Sequence, residues 1–327
     1  MIVTKTPLRI SFFGGGSDIP EFYNNNQGLC VSAAINSYIY IAAHKCVAPH
    51  LKVIYSELEL ETDIEKIKHD RVREVLKDFG ITSNIEICSF SDIPVKGTGL
   101  GSSSTFTVGL INAINKIKYP YKEISKKELA ETASYIEIEK CKEPIGKQDQ
   151  YAASYGGLRA YRFNRKDVEV SRINTSTITD RVLSDRLMCF NTGVNRLASS
   201  ILTEQVDNLK NNVNVLLTRT LVNMAESSIK MLEENRLDDF GSLLNDAWQV
   251  KKQLSSNVSN DSIDEMYERA IKAGALGGKI LGAGGGGYLL LYVRDKDHRQ
   301  VYNEMTKSYE YFPIRFDYNG STIEMKS

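Results

Sequence analysis

The stretch Gly97–Leu110, GTGLGSSSTFTVGL, decides how the rest of the chain is read. Three glycines alternate with other residues, run into three serines, and then the chain turns apolar. Upstream, NIEICSFSDIPV reads as a strand, rich in β-branched and aromatic residues. Downstream, Phe106, Leu110, Ala113, Ile114 and Ile117 recur at helical spacing, which predicts an amphipathic helix. A flexible linker would have polar segments on both sides, whereas both flanks here are pinned. Strand, glycines and helix start bring unpaired amides and the positive end of a helix dipole to one point, which suits a phosphate. The glycines let the main chain approach the anion, and the serine hydroxyls add hydrogen bonds or reach a divalent cation. Gly97, Gly99, Leu100, Gly101, Ser102, Ser103 and Ser104 are therefore the candidate phosphate-holding residues.

Other phosphate loops do not match. The dinucleotide pattern fails because Ser102 stands where its last glycine belongs. In GALGGKI, Lys279 follows Gly278, but Ala273 holds the place of the first glycine and Ile280 that of the required Ser or Thr. Asp78-Phe79-Gly80 imitates a protein-kinase motif, yet it precedes the glycine loop, no H-R-D accompanies it, and Gly80 serves as a helix stop.

The 327 residues suffice for two domains. Lys plus Arg is 41 and Asp plus Glu is 41, so no basic excess points to nucleic acid or to an anionic membrane. Five cysteines, odd in number and without C-x-x-C spacing, argue against a disulfide framework and against a zinc ribbon. The start lacks a leader pattern and GYLLLYV is too short to span a bilayer, so a soluble, cytoplasmic protein is expected. His44, Cys46 and His50 lie together in YIYIAAHKCVAPH, which reads as a strand running into a loop and lacks a fourth metal partner at a suitable spacing.

Along the chain, LRISFFGG, AAINSYIYIAAHKC and LKVIYSELEL read as strands, and DIEKIKHDRVREVLKDFG as a helix ending at Gly80. Ser125 and Glu128 form a capping box for KKELAETASYIEIEKC. The polar cluster before RLMCFNTG suggests passage into a second domain, giving expected domains of 1–182 and 183–327. The second half is helix-rich, then gives the turn LGAGGGG and the strand YLLLYVR.

PVKGTGLGSSSTFTVGLINA resembles the second signature of the GHMP small-molecule kinases, KTPLRISFFGGGSDIPEFY their first and KILGAGGGGYLLLYV their third. All three occur in the family's order from Lys5 to Val293. The resemblance implies an α+β, two-domain fold, with an N-terminal ATP-binding domain like ribosomal protein S5 domain 2 and a ferredoxin-like C-terminal domain. Within the family, PLRISFFGGGSDIPEFY and IGKQDQYAASYGGLRAYRF are most similar to the branch that phosphorylates the anomeric hydroxyl of D-glycero-D-manno-heptose 7-phosphate. What it implies is a sugar 1-kinase using ATP and Mg²⁺, whose partners are a sugar phosphate and ATP, with a homodimer left open. The rivals are a kinase of the same fold for L-fucose or galactose and a noncatalytic sugar- and nucleotide-binding regulator.

Phosphoryl transfer asks a protein to position two oxygens and to neutralise charge. The resemblance gives Asp149 the role of base and Glu137, with Ser103, that of metal ligand; Glu139 is the rival carboxylate. Arg9 lies in an apolar strand, where an inward guanidinium needs an anion such as Asp149 or the moving phosphate. Gly14, Gly15, Gly16, Ser17 and Asp18 are expected to form the sugar floor, and Asp18 also reads as the cap of a helix at IPEFY. Gln148 and Arg196 complete the substrate candidates, Arg196 for a distal phosphate. The turn at LGAGGGG is expected to close over the substrate and buttress the phosphate loop.

Overall fold

A computed structural model describes residues 1–93, 97–194 and 198–326. The first half runs β1 (Ile2–Phe13), α1 (Pro20–Tyr23), β2 (Gly28–Lys45), β3 (Leu51–Ile54), β4 (Leu58–Glu61), α2 (Asp70–Asp78), β5 (Ile85–Ser91), α3 (Ser102–Lys118), α4 (Lys126–Ser134), α5 (Gln148–Tyr155), β6 (Leu158–Phe163) and β7 (Val168–Arg172). The second runs α6 (Thr177–Asp185), β8 (Leu187–Asn191), α7 (Ala198–Lys210), α8 (Val215–Glu233), α9 (Leu237–Lys251), α10 (Asp261–Lys272), β9 (Gly277–Ile280), β10 (Tyr288–Tyr292), α11 (His298–Met305), β11 (Tyr311–Phe312) and β12 (Thr322–Lys326).

Two sheets result. The larger has the order β12-β1-β2-β5-β3-β4, with β6 and β7 continuing from β2, and the smaller has the order β11-β8-β10-β9. β1 is interior to its sheet: it pairs antiparallel with β2 along most of its length and with β12 at its start. Exposure alternates over its first residues and then vanishes, every position from Thr6 to Phe13 being buried. That switch marks where helices cover the strand, α3 and α8 both packing on β1 and β2. The last strand, β12, thus returns to the sheet where the chain began, a pairing that sequence pattern does not reveal.

Several expectations are refined. The helix before Gly80 starts at Asp70, capped by the His69 ring, with a separate short 3₁₀ turn at Ile64–Lys66; Gly80 does take the left-handed conformation of a helix stop, at φ 61°. LKVIYSELEL divides into the β3–β4 hairpin. α3 is buried nearly all round, including Thr105, Thr107, Asn112 and Asn115, because sheet and helices enclose it. Ser125 caps α4 as expected, its hydroxyl accepting the Glu128 amide at 3.1 Å, but α4 then widens into a π-helical segment at Tyr135–Lys140. No helix among the described residues is long and apolar enough to cross a membrane, and all five cysteines are free thiols.

The two halves meet at an aromatic joint. Phe240 of α9 is fully buried, and its ring packs edge-on against Phe12 at 5.3 Å and Phe13 at 5.2 Å. These are the last two residues of β1, so the joint holds α9 against the strand that carries Arg9. Removing such a ring leaves a cavity where relaxation is limited. Phe240→Ala is expected to lower unfolding stability by about 3–5 kcal/mol in urea titration. A loss below about 1 kcal/mol would show that the joint collapses or carries little.

Candidate active site

Arg9 is the inward guanidinium anticipated from its apolar strand. Its side chain is 6% exposed and makes a two-pronged ion pair with Asp149: Nε donates to Oδ1 at 2.7 Å and Nη2 to Oδ2 at 2.6 Å. The remaining nitrogen, Nη1, donates to the carbonyl of Gly99 in the glycine loop at 2.6 Å, and the Arg9 amide donates to the Leu100 carbonyl at 3.1 Å. One side chain therefore ties β1, the glycine loop and α5 together. Asp149 lies in the first turn of α5, two residues after the Lys147 cap; its carboxylate remains 28% exposed.

The loop runs directly into α3. Gly97, Gly99 and Gly101 all have positive φ, at 74°, 72° and 76°, with Gly101 as the helix cap. Gly101 offers no capping side chain, and any Cβ there would sit 3.2 Å from the Asp149 carboxylate and 3.3 Å from Arg9. The first-turn amides from Ser102 onward are thus presented to a ligand at the positive end of a 17-residue helix. The three serines divide their tasks. Ser102 is buried, with its hydroxyl 3.1 Å from that of Thr98; Ser104 is buried; Ser103 is exposed.

Glu137 is fully buried, in the first turn of the π-helical segment. Its Oε1 accepts from Arg71 Nε at 3.0 Å and lies 2.9 Å from the Thr107 hydroxyl, while Oε2 accepts from Gln150 Nε2 at 2.6 Å. Arg71 also donates to Glu143 at 2.8 Å. Thr107 stands one helical turn after Ser103, its hydroxyl 3.1 Å from the Ser103 carbonyl, so Ser103 and the Glu137 carboxylate share one face of α3. Glu139, the rival, is solvent-facing beside Lys142. A carboxylate and a free hydroxyl form an all-oxygen set of the type a hard divalent cation prefers, and Glu137 keeps one acceptor position beyond its three donors.

The floor loop is held from within. Ser17 is fully buried, its hydroxyl within reach of the Gly14 carbonyl at 2.7 Å and accepting the Leu29 amide at 3.0 Å, so it closes the loop. Asp18 does not cap α1, whose cap position is Ile19 without a side-chain bond. Instead its Oδ1 accepts from the Gly16 amide at 3.0 Å and its Oδ2 from the Gln148 amide at 3.1 Å, joining the floor to α5. Burial raises the Asp18 carboxyl above its ordinary value, the Gln148 amide pulls it back, and the Asp149 charge raises it further. Gln148 accepts from the Ser11 hydroxyl at 3.2 Å, and its Oε1 lies 3.9 Å from where a Gly15 Cβ would be. Its Nε2 is buried with no partner among the described residues. An orphan donor of that kind costs about 1–3 kcal/mol and marks a place for an acceptor on a ligand. Arg196 lies outside the described residues.

The turn at 281–287 abuts the glycine loop. A Cβ on Gly99 would fall 2.3 Å from the Leu281 carbonyl oxygen, and one on Gly282 would fall 2.6 Å from the Gly99 Cα, so both turns require glycine at their contact. Sequence reasoning missed Arg71, Thr107 and Gln150, whose partners are 66, 30 and 13 residues away and leave no local pattern. His50 and Cys46 are brought near Glu86 of β5, their ligand atoms within 4.8 Å of one another, but the Lys52 ammonium stands 3.6 Å from that carboxylate as a built-in cation.

Arg71→Met strands the Glu137 charge, and breaking a buried pair is expected to cost about 3–5 kcal/mol in urea unfolding. With Glu137→Gln added, the loss should fall well short of the sum of the two single losses. Strict additivity would show that the two side chains do not depend on each other.

The chain resembles known kinases along most of its length. Residues 66–157 match the GHMP kinases N-terminal domain and residues 228–310 the GHMP kinases C-terminal domain. The D-glycero-alpha-D-manno-heptose 7-phosphate kinase of Campylobacter jejuni is 32% identical over 324 residues, covering 92% of this chain and 91% of that protein. The bifunctional fucokinase/GDP-fucose pyrophosphorylase of Arabidopsis thaliana is 23% identical over 97% of this chain and 32% of its own. A crystal structure of a D-glycero-D-manno-heptose 1-phosphate kinase from Bacteroides thetaiotaomicron superposes with a TM-score of 0.82 at 20% identity over the full length of both chains, a likeness of fold. With both domain matches and a relative 32% identical over 92% of its length, this chain belongs to the GHMP kinase family.

Proposed function

We propose that this sugar kinase transfers the γ-phosphoryl group of ATP to the anomeric 1-hydroxyl of D-glycero-D-manno-heptose 7-phosphate, giving the 1,7-bisphosphate for synthesis of a nucleotide-activated heptose. The observation that carries the reaction type is the Arg9 guanidinium bridging the Asp149 carboxylate to the Gly99 carbonyl. It brings the group that receives the acceptor hydroxyl up against the loop that holds the phosphates. The choice of sugar rests on the 32% identity with the Campylobacter jejuni enzyme. We take the division between the two domains at residues 182 and 183, with β12 crossing back to the first sheet.

In this reading the amides of Ser102, Ser103 and Ser104 bind the polyphosphate, aided by the α3 dipole. Glu137 and Ser103 hold Mg²⁺, which when bound neutralises phosphate charge. Arg71, Thr107 and Gln150 keep the Glu137 carboxylate in one orientation. Asp18 and Gln148 accept and donate to sugar hydroxyls over Gly15 and Gly16, the orphaned Gln148 Nε2 finding its acceptor there. Asp149 retains lone pairs beyond those used by Arg9, and it orients the attacking hydroxyl and receives its proton. Arg9 stays charged throughout, so it stabilises the phosphoryl oxygens without acting as an acid. The oxygen–phosphorus distance is set mainly by these contacts, which is where most of the catalysis of phosphoryl transfer lies.

Asp149→Asn keeps the size and the Arg9 neighbour but removes the proton acceptor. Its turnover is expected to fall by about 10²-fold or more, with nucleotide binding intact by calorimetry. Full activity in that variant would remove Asp149 from the chemistry. A coupled ADP assay over heptose 7-phosphate, L-fucose and galactose tests the substrate: turnover confined to heptose 7-phosphate is expected. Robust turnover of fucose with none of the heptose phosphate would overturn the choice of sugar.

A further inference from the structure

Lys251 is the last residue of α9, and its side chain is buried. Its ammonium donates to the carbonyl of Gly282. Gly282 lies against Gly99, and the Gly99 carbonyl in turn accepts from Arg9. Lys251 therefore reaches, from the second half of the chain, the junction where the two glycine turns meet Arg9. An ammonium has three protons to donate, and one carbonyl uses only one of them.

The charges around this junction do not balance. Arg9, Lys251 and Lys279 are buried basic groups; Asp149 faces Arg9 and Asp18 faces Lys251, while burial, then the Lys251 and Arg9 charges, hold the Lys279 ammonium well below its ordinary range. Arg9 is matched by Asp149, whereas the Lys279 ammonium donates to the Phe12 carbonyl at 3.0 Å and, like Lys251, has no carboxylate in ion-pair contact among the described residues. Burial first and then the Arg9 charge push the Lys251 ammonium down to about 8, with Asp18 pulling the other way. A buried ammonium without a counter-ion is a standing cost, and an apolar side chain of the same length would fill the space with less. Such a cost is retained where a ligand supplies the missing negative charge. The nearest ligand-ready feature is the phosphate loop itself.

We propose that Lys251 is a further active-site cation that donates to an oxygen of the phosphoryl group while it passes from nucleotide to sugar, an assignment that rests on the kinase reading above. In that step the bond between the γ-phosphorus and the β–γ bridging oxygen breaks and a bond forms from the sugar oxygen. The hydroxyl proton goes to Asp149, ADP leaves with the bridging oxygen, and Lys251 keeps its protons. Arg9 and Lys251 approach the group from two domains, so the cleft is complete only when both glycine turns are in contact.

The test uses the full-length protein with Lys251→Met, and with Lys251→Gln, which keeps a donor for the Gly282 carbonyl should the methionine variant fail to fold. By calorimetry, affinity for a nonhydrolysable ATP analogue is expected to drop about 10-fold or more, the scale of one lost charged hydrogen bond, while ADP affinity holds within about twofold. Turnover is expected to fall by about 10²–10³-fold with little change in sugar KM. The melting temperature should hold or rise, because an unpaired buried charge has gone. Equal loss of ATP-analogue and ADP affinity, or a lowered melting temperature with normal turnover, would overturn the proposal in favour of a packing role. Unchanged turnover with a raised KM for phosphorylated sugar alone would overturn it as well, assigning Lys251 to the sugar's own phosphate. The calorimetric arm needs no sugar: selective loss of ATP-analogue affinity supports the assignment even if the wild-type protein turns over none of the sugars tested, an outcome that overturns the substrate reading alone.

Discussion

A guanidinium that must be buried is the constraint on which this structure depends. Arg9 sits on an interior strand with helices on the sheet, so its charge is largely withdrawn from water and is neutralised from within. The answer uses three elements distant in sequence: β1 supplies the cation, α5 the carboxylate and the glycine loop a carbonyl. Because each prong is a short, directed bond, α5 and the loop are held relative to one another more firmly than apolar packing alone would hold them. In the proposed reaction, that rigidity sets the position of the reacting oxygen relative to the phosphate.

The second half of the chain completes this arrangement from the other side. α9 is clamped to the end of β1 through Phe240, and the turn at 281–287 lies so close to the glycine loop that side chains on either would collide. The second half of the chain therefore forms one wall of the proposed phosphate cleft. The return of β12 to β1 gives the first sheet its outer strand and ties the chain's end to the strand bearing Arg9. A buried carboxylate, Glu137, is likewise fixed beside α3 by Arg71, Thr107 and Gln150.

What was legible in the sequence was what local chemistry dictates. The glycine alternation before an apolar-faced segment announced a helix start, and the structure gives those glycines their left-handed backbone. Arg9 in an apolar strand announced a buried ion pair, and one of the two partners weighed for it, Asp149, is the one found. Hidden from sequence were features made by distance. Arg71 looks like any arginine of a charged helix until folding brings it onto Glu137, and Lys251 looks like half of a solvated lysine pair at a helix end. Asp18 was read as a helix cap because it precedes IPEFY; its oxygens are instead taken by the Gly16 and Gln148 amides, the latter 130 residues away. The π-helical turn around Glu137 likewise has no signature at 3.6-residue periodicity, since it breaks that period.

The most direct test of the account is a crystal structure with heptose 7-phosphate and a nonhydrolysable ATP analogue bound together. It predicts the γ-phosphate on the amides of Ser102–Ser104, with the anomeric oxygen within about 2.6–3.2 Å of the Asp149 carboxylate. A triphosphate bound elsewhere, with the amides at the start of α3 left facing water, would contradict it.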